Sequence, residues 1–325
     1  MATSGVVTIT QTADGLIRGA ARLLHLYQTG EGIPPEKFND ALSALNEMMR
    51  EWQTQGVGIW TKEDIALFPQ KDSQYYALGP SGDNATFTPY GTELAADAAA
   101  AAGTITVDDD DDITNGDYIG VELDTGFMQY TTVDGVPSAN VVTLTDVLTG
   151  AASENNTVVN YTTKIVRPID IDRDNVRYRN NSGDEQPILL WPRQRFFAIN
   201  QRSQASAAPS VGFFQPRLTN SRLYIWPPLS DVDGRIMFSA LMPIETFVNR
   251  SDTPDLPDEW MSCIRWNLAK EWGAENRNAV PSAVYAWVIS EAEKKLKMLN
   301  NFDSGHRSMV LRRKSRDRYY DNYNR

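Results

Sequence analysis

The hydrophobic period of this chain changes twice along its length. Phe38, Ala41, Leu42, Leu45, Met48, Met49 and Trp52 recur at the spacing of one face of an α-helix. Pro35 suits the first turn, where a missing N–H costs nothing, and Glu36 places negative charge at the positive end of the helix dipole. Gly56 and Gly58 end the segment. An earlier stretch, Thr12 to Tyr27, repeats the pattern with Leu16, Ala20, Leu23, Leu24 and Tyr27, and Thr12 or Asp14 is placed to cap it. "TGEGIPP" separates the two, so the pair reads as an αα-hairpin.

After Trp60 alternation replaces that period. "IALFPQ" and "SQYYALGP" predict short strands around a turn. Residues 84–165 hold few basic side chains and much Thr, Val, Asp, Gly and Ala. There "GTITV", "DYIGVEL", "FMQYTTV", "NVVTLT" and "TVVNYTT" predict five short strands, the spacing of a small β-barrel or β-sandwich. The run Ala95 to Ala102 reads as a joint between modules. From Arg167 onward "PILLWP", "RLYIWPP" and "RIMFSALMP" predict strands with prolines at their edges. The helical period returns after Pro257, with Met261, Ile264, Leu268 and Trp272 on one side. It returns again after Pro281, with Tyr285, Val288, Ile289, Ala292, Leu296 and Leu299 in one stripe. Past Asn301 it stops.

The expected fold is therefore α+β. Residues 1–83 and 166–303 are expected to form an antiparallel helical-bundle core with a β region, and 84–165 an inserted small β-barrel or β-sandwich module. Residues 304–325 are expected to form an extended, basic C-terminal tail. A chain of 325 residues accommodates that division.

Charge separates the tail from the rest. The last fifteen residues, "LRRKSRDRYYDNYNR", hold six of the 31 basic and two of the 42 acidic side chains, so the string carries +4 and the remainder −15. A body that acidic is a poor general binder of polyanions, and nucleic-acid contact is expected only at the tail or at local patches. No apolar run approaches the roughly 18 residues of a membrane span. "MATSGVVTIT" has neither the basic nor the apolar region of a signal peptide. The single cysteine, Cys263, excludes an intrachain disulfide and reads as a small buried hydrophobe.

The inventory for catalysis is thin. His25 lies on the first helix and His306 in the tail, and no Ser, His and Asp arrangement is built from two histidines so placed. Walker A, G-x-G-x-x-G and zinc spacings are missing from the sequence. The run "VDDDDDITNGD", with Asp108 to Asp112, is the one candidate cation site. It lacks the downstream Glu of an EF-hand and reads as a solvated acidic turn. No catalytic residue, metal or cofactor is expected. Trp260, Trp266, Trp272 and Trp287 sit on the two C-terminal helices. Core packing accounts for at least two of them. Tryptophan on more than one side of a helix predicts a second buried face, so Trp52, Trp260, Trp266 and Trp272 are candidates for packing against a neighbouring subunit.

Four stretches together resemble the head-to-tail adaptor proteins of short-tailed bacteriophages, also called tail accessory or packaged-DNA stabilisation proteins. "DALSALNEMMREWQTQGVGIW" is similar to the family's second helix, with Ala41, Leu45, Asn46, Met49 and Trp52. "FPQKDSQYYALGPSGD" resembles its first β segment, with Gln74, Tyr76, Gly79, Gly82 and Asp83. "RLYIWPPLSD" resembles a later strand, and "LPDEWMSCIRWNLAKEWGAE" the third helix, with Leu256, Pro257, Asn267, Leu268 and Ala269. In simpler members "GPGGD" is followed closely by "RP". Here the whole of 84–165 separates Asp83 from Arg167 and Pro168, as an insertion into a surface loop would.

The resemblance implies a structural virion protein and not an enzyme. It implies assembly in the host cytoplasm, a homo-oligomeric ring of twelve subunits below the portal protein ring, and a seat for the tail tube or nozzle protein. DNA would pass through the lumen, and the inserted module would face tail fibre, spike or capsid. The basic tail is then expected to dock between portal subunits through Arg312, Arg313, Lys314, Arg316, Arg318, Tyr319, Tyr320 and Tyr323. Two alternatives stay open: a tail that seals packaged DNA by touching it, and a virion-associated cell-wall hydrolase.

Overall fold

The structure, a computed structural model, describes residues 11–28, 30–54, 62–254, 256 and 258–304. The chain divides into two compact units, Met1–Trp60 with Ile244–Arg325, and Thr61–Pro243.

The first unit is helical, with α1 (Ala13–Leu23), α2 (Pro35–Thr54), α4 (Asp258–Glu275) and α5 (Ser282–Ser304). The Thr12 hydroxyl caps α1 by accepting from the Gly15 N–H at 3.2 Å. The helix stops before the predicted Tyr27 because His25 takes a left-handed φ of 57°. The apolar stripes meet in one core around Leu16, Leu24, Phe38, Leu45, Met48, Trp260, Ile264, Leu268 and Val288. Two amides tie its elements. Asn46 Nδ2 donates to the Phe247 carbonyl at 3.0 Å while the Phe247 N–H donates to Asn46 Oδ1 at 3.0 Å. Buried Asn267 on α4 donates to the carbonyls of Cys263 (3.0 Å) and of Ala292 on α5 (3.3 Å).

The second unit holds β1 (Lys62–Leu67), β2 (Tyr75–Leu78), β3 (Ala85–Thr86), β4 (Tyr90–Glu93), β5 (Thr104–Thr106), β6 (Tyr118–Glu122), β7 (Met128–Thr132) and β8 (Val141–Thr143). It continues with β9 (Thr157–Tyr161), β10 (Asp170–Arg179), β11 (Glu185–Pro187), β12 (Leu189–Leu190), the five-residue α3 (Arg193–Phe197), β13 (Val211–Gln215), β14 (Ser221–Trp226) and β15 (Arg235–Leu241). Sheets ordered β11-β10-β15-β1-β3 and β12-β13-β14-β2 share one apolar cluster, including Ile65, Leu67, Tyr76, Leu78, Val176, Leu223, Ile225 and Phe238. A third sheet, β4-β9-β6-β7, and the pair β5-β8 enclose a separate cluster drawn from Leu94 to Val158.

That separate cluster is docked on the rest of its unit by a third amide. Gln70 Nε2 donates to the Met128 carbonyl (2.7 Å), and the Met128 N–H donates to Gln70 Oε1 (2.9 Å). Tyr161 lies beside it, stacked on Tyr118 at 5.2 Å and on Phe68 at 5.8 Å.

The expected fold class is overturned. Fifteen strands in four sheets, against five helices, make the larger unit, Thr61–Pro243, almost wholly β, and the core of the chain is not an antiparallel helical bundle. The strands expected to accompany the helices carry a core of their own, because the hydrophobic faces of β1, β10 and β15 are spent on β2 and β14. The longest strand has no clear alternation in the sequence. β10, "DIDRDNVRYR", is charged and its register shifts between Ile171 and Val176, so its alternation is broken midway. β13, "VGFFQ", likewise lies outside the predicted strands, behind a long polar loop.

Candidate functional site

The residues expected to dock on the portal, Arg312, Arg313, Lys314, Arg316, Arg318, Tyr319, Tyr320 and Tyr323, lie outside the described residues, as does His306. The four tryptophans lie within them. Trp52 and Trp260 are 4% and 3% exposed, with ring centroids 6.2 Å apart, and Trp272 is fully buried. Their surface is spent inside this chain's own helical core, which is what their positions on the α2 and α4 stripes dictate. Trp266 is half-buried and meets Trp287 of α5 edge to face at 4.9 Å. Trp287 is the exposed member, at 51%, and Met298 is 71% exposed.

Met298 follows Trp287 by eleven positions, about three helical turns, so the two share one face of α5. Glu291 and Lys294 stand between them, with Lys294 Nζ 2.6 Å from Glu291 Oε1. Beside Met298 a hollow of about 230 Å³ is lined by Glu259, Ser262, Cys263, Lys295 and Leu299. Burial pushes the Cys263 thiol up to about 12, so it is a packing group there and not a thiolate at neutral pH. The face formed carries two exposed apolar side chains, Trp287 and Met298, with Ser290 and the Glu291–Lys294 ion pair between them.

The Asp108 to Asp112 run lies between β5 and β6, and its polar groups are engaged locally. Asp109 Oδ1 accepts from the Asp111 N–H (3.1 Å) and Asp110 Oδ2 from the Asn140 N–H (3.0 Å). Among the described residues no three His, Cys, Asp or Glu side chains are gathered to hold a metal ion.

A cleft of about 540 Å³ opens in the β unit, and Arg179, Arg235, Glu93, Asp108 and Asp233 line it. Arg179 and Arg235 stand opposite each other on paired strands. Burial lowers the Arg235 pKa, and the Arg179 charge lowers it further. Nearby, burial raises the carboxyls of Glu122 and Asp231, and the charge of Asp233 raises both further. Glu122 regains part of this by accepting from the Thr157 N–H at 3.2 Å. The sequence carried no signal for this cleft, since its lining comes from the ends of strands far apart in the chain.

No protein-family model matches the chain, and none of the curated proteins matches it. Among solved structures the chain has a likeness to VP17, a capsid protein of bacteriophage P23-77, at 11% identity over 59% of this chain and 77% of that one, with a TM-score of 0.12. At that score the two folds do not superpose.

Proposed function

We propose that this chain is a structural protein of a short-tailed bacteriophage virion. In this reading it forms a ring adaptor between the portal and the tail tube or nozzle, extends the DNA channel and helps retain packaged DNA. Several side chains in the four stretches that resemble the adaptor family hold the structure together. Asn46 clamps the chain at Phe247, and Asn267 ties α4 to α5. Asp83 closes the "GPSGD" loop by accepting from the Ala77 N–H at 2.6 Å. Gly82 passes so close to the Ala77 carbonyl that a Cβ would collide with it. A resemblance carried by such residues is a likeness of fold-determining parts.

The observation that carries the ring is the stripe from Trp287 to Met298. Its two large apolar side chains are exposed on a chain of net charge −11, flank the Glu291–Lys294 ion pair, and are of a kind that a second copy would cover. The basic C-terminal string supplies the expected link to the portal.

The test mixes the cognate portal ring with the full chain, with a chain ending at Ser304, and with Trp287→Glu/Met298→Glu, and reads native mass and negative-stain images. The full chain is expected to add a ring to the portal. The charged stripe variant is expected to remain monomeric, and the shortened chain to lose portal binding. No added ring with the full chain would end the adaptor reading, and a ring from the stripe variant would remove the stripe as its cause.

A further inference from the structure

Between Gln186 and Ser230 the chain carries five arginines and no lysine, aspartate or glutamate. Elsewhere acidic residues outnumber basic ones, 42 to 26, so this span inverts the character of the protein. The fold gathers much of it on the outer face of the β12-β13-β14-β2 sheet. Leu223 and Ile225 of β14 point into the core, so Arg222, Tyr224 and Trp226 point out. Register then places Phe213 of β13 opposite Tyr224, and Tyr224 opposite Tyr75 of β2. The result is a row of rings across three strands, at centroid spacings of 5.8 and 5.6 Å. Phe197 of α3 closes on this row, 5.6 Å from Tyr224.

The arginines lie on these rings. Arg195 sits over Trp191 at 3.9 Å, Arg222 over Tyr75 at 4.5 Å, and Arg202 and Arg193 over Phe197 at 4.7 and 5.6 Å. Among the described residues none of the four is in an ion pair. Arg202 spends donors on the carbonyls of Ile199 and Phe197. Arg193 and Arg195 keep their in-plane N–H forks, and Arg222 shares a hydrogen bond with the neighbouring Tyr224 side chain while its remaining N–H groups stay open. A guanidinium stacked on a ring is pre-oriented and less strongly hydrated than an ammonium, the state in which it grips phosphate or carboxylate.

A groove of about 490 Å³ adjoins the Arg193 fork and the Trp191 ring under Arg195, walled by Trp191, Arg193, Phe213, Phe214, Pro216 and Arg173. The carboxylate on its wall, Asp170, accepts from its neighbouring Ile171 N–H at 2.9 Å. An acidic peptide would use the forks and leave these aromatic walls idle. A ligand that alternates anionic groups with flat rings uses both.

We propose that this face binds single-stranded nucleic acid, with phosphates on Arg193, Arg195 and Arg222 and an unstacked base in the groove beside Trp191 and Phe213. The protein's net negative charge does not forbid this, because salt screens charges beyond about 8–10 Å. The site stands on this face alone and is independent of the adaptor reading.

The test is fluorescence anisotropy of a labelled single strand of about 16 nucleotides, titrated with the full chain between roughly 50 and 200 mM salt. Three phosphate contacts predict a log–log salt slope of about −2. Arg193→Gln/Arg195→Gln/Arg222→Gln, checked for an unchanged melting temperature and circular dichroism, is expected to weaken binding at least about tenfold and to flatten the slope. Trp191→Leu, which keeps every charge, is expected to keep the slope while losing preference for the single strand over duplex. No saturable binding at low salt overturns the proposal. So does equal affinity for a blunt duplex of the same length, or equal competition by polyglutamate, which would assign the face to an acidic protein segment. Full binding by the triple variant, with loss when Arg312, Arg313, Lys314, Arg316 and Arg318 are changed to Gln, also overturns it and moves the contact to the C-terminal string.

Discussion

Replacing Asn46 by Ala tests the clamp that holds the returning chain against α2. The amide makes two hydrogen bonds of 3.0 Å, one in each direction, to a single residue, Phe247. Each is worth about 1 kcal/mol net, and each leaves a backbone group of Phe247 without its partner when removed. Asn46 is half-buried and Phe247 buried, so water reaches the orphaned groups only in part. The expected loss is about 2–3 kcal/mol. At roughly 3 °C per kcal/mol for a domain of this size, that lowers the melting temperature by about 6–9 °C. Circular dichroism at the helical band isolates the effect, because the four long helices belong to this unit and α3 of the other is five residues long. Glu47→Ala, exposed on the next position of α2, serves as the control and is expected to stay within about 0.5 kcal/mol. A loss for Asn46→Ala no larger than the control's would refute the reasoning, since water would then be replacing the amide at no cost.

The companion amide predicts a larger effect: Asn267→Asp puts carboxylate oxygens against the carbonyls of Cys263 and Ala292 in a buried site, and at least about 3 kcal/mol of stability should be lost by chemical denaturation. Glu122 predicts a pH dependence. Burial, then the Asp233 charge, raises its carboxyl, so ionised Glu122 weakens the fold at neutral pH, and its contribution becomes more favourable as pH falls through the folded pKa toward the unfolded value. Glu122→Gln should therefore melt higher than the parent at pH 7, with the gap closing as pH approaches about 4, and calorimetry at both values checks it.

The four long helices were legible because their signal is local. The stripe from Phe38 to Trp52 states its own period, and α2, α4 and α5 begin within a residue or two of where their prolines and apolar repeats place them. The five predicted strands of 84–165 likewise fall on β5 to β9, since Gly, Asn and Asp turns bound each of them. The first helix was read too long, because nothing in "LLHLY" announces the left-handed turn at His25.

What only the tertiary structure decided was partnership. β1 pairs with β15, which lies far along the chain, and β15 pairs in turn with the charged β10. Those pairings give the β segments a core of their own, and the helical-bundle expectation fails on that point. The arginine and aromatic face has the same origin. Tyr75, Trp191, Arg195, Phe213 and Arg222 are scattered along the sequence, and strand register with the α3 turn brings them together. A lack of acidic residues from 186 to 230 was there to be seen. Which rings would lie under which guanidiniums was not, because a strand's own pattern says which side chains share a face but not which strand will lie beside it.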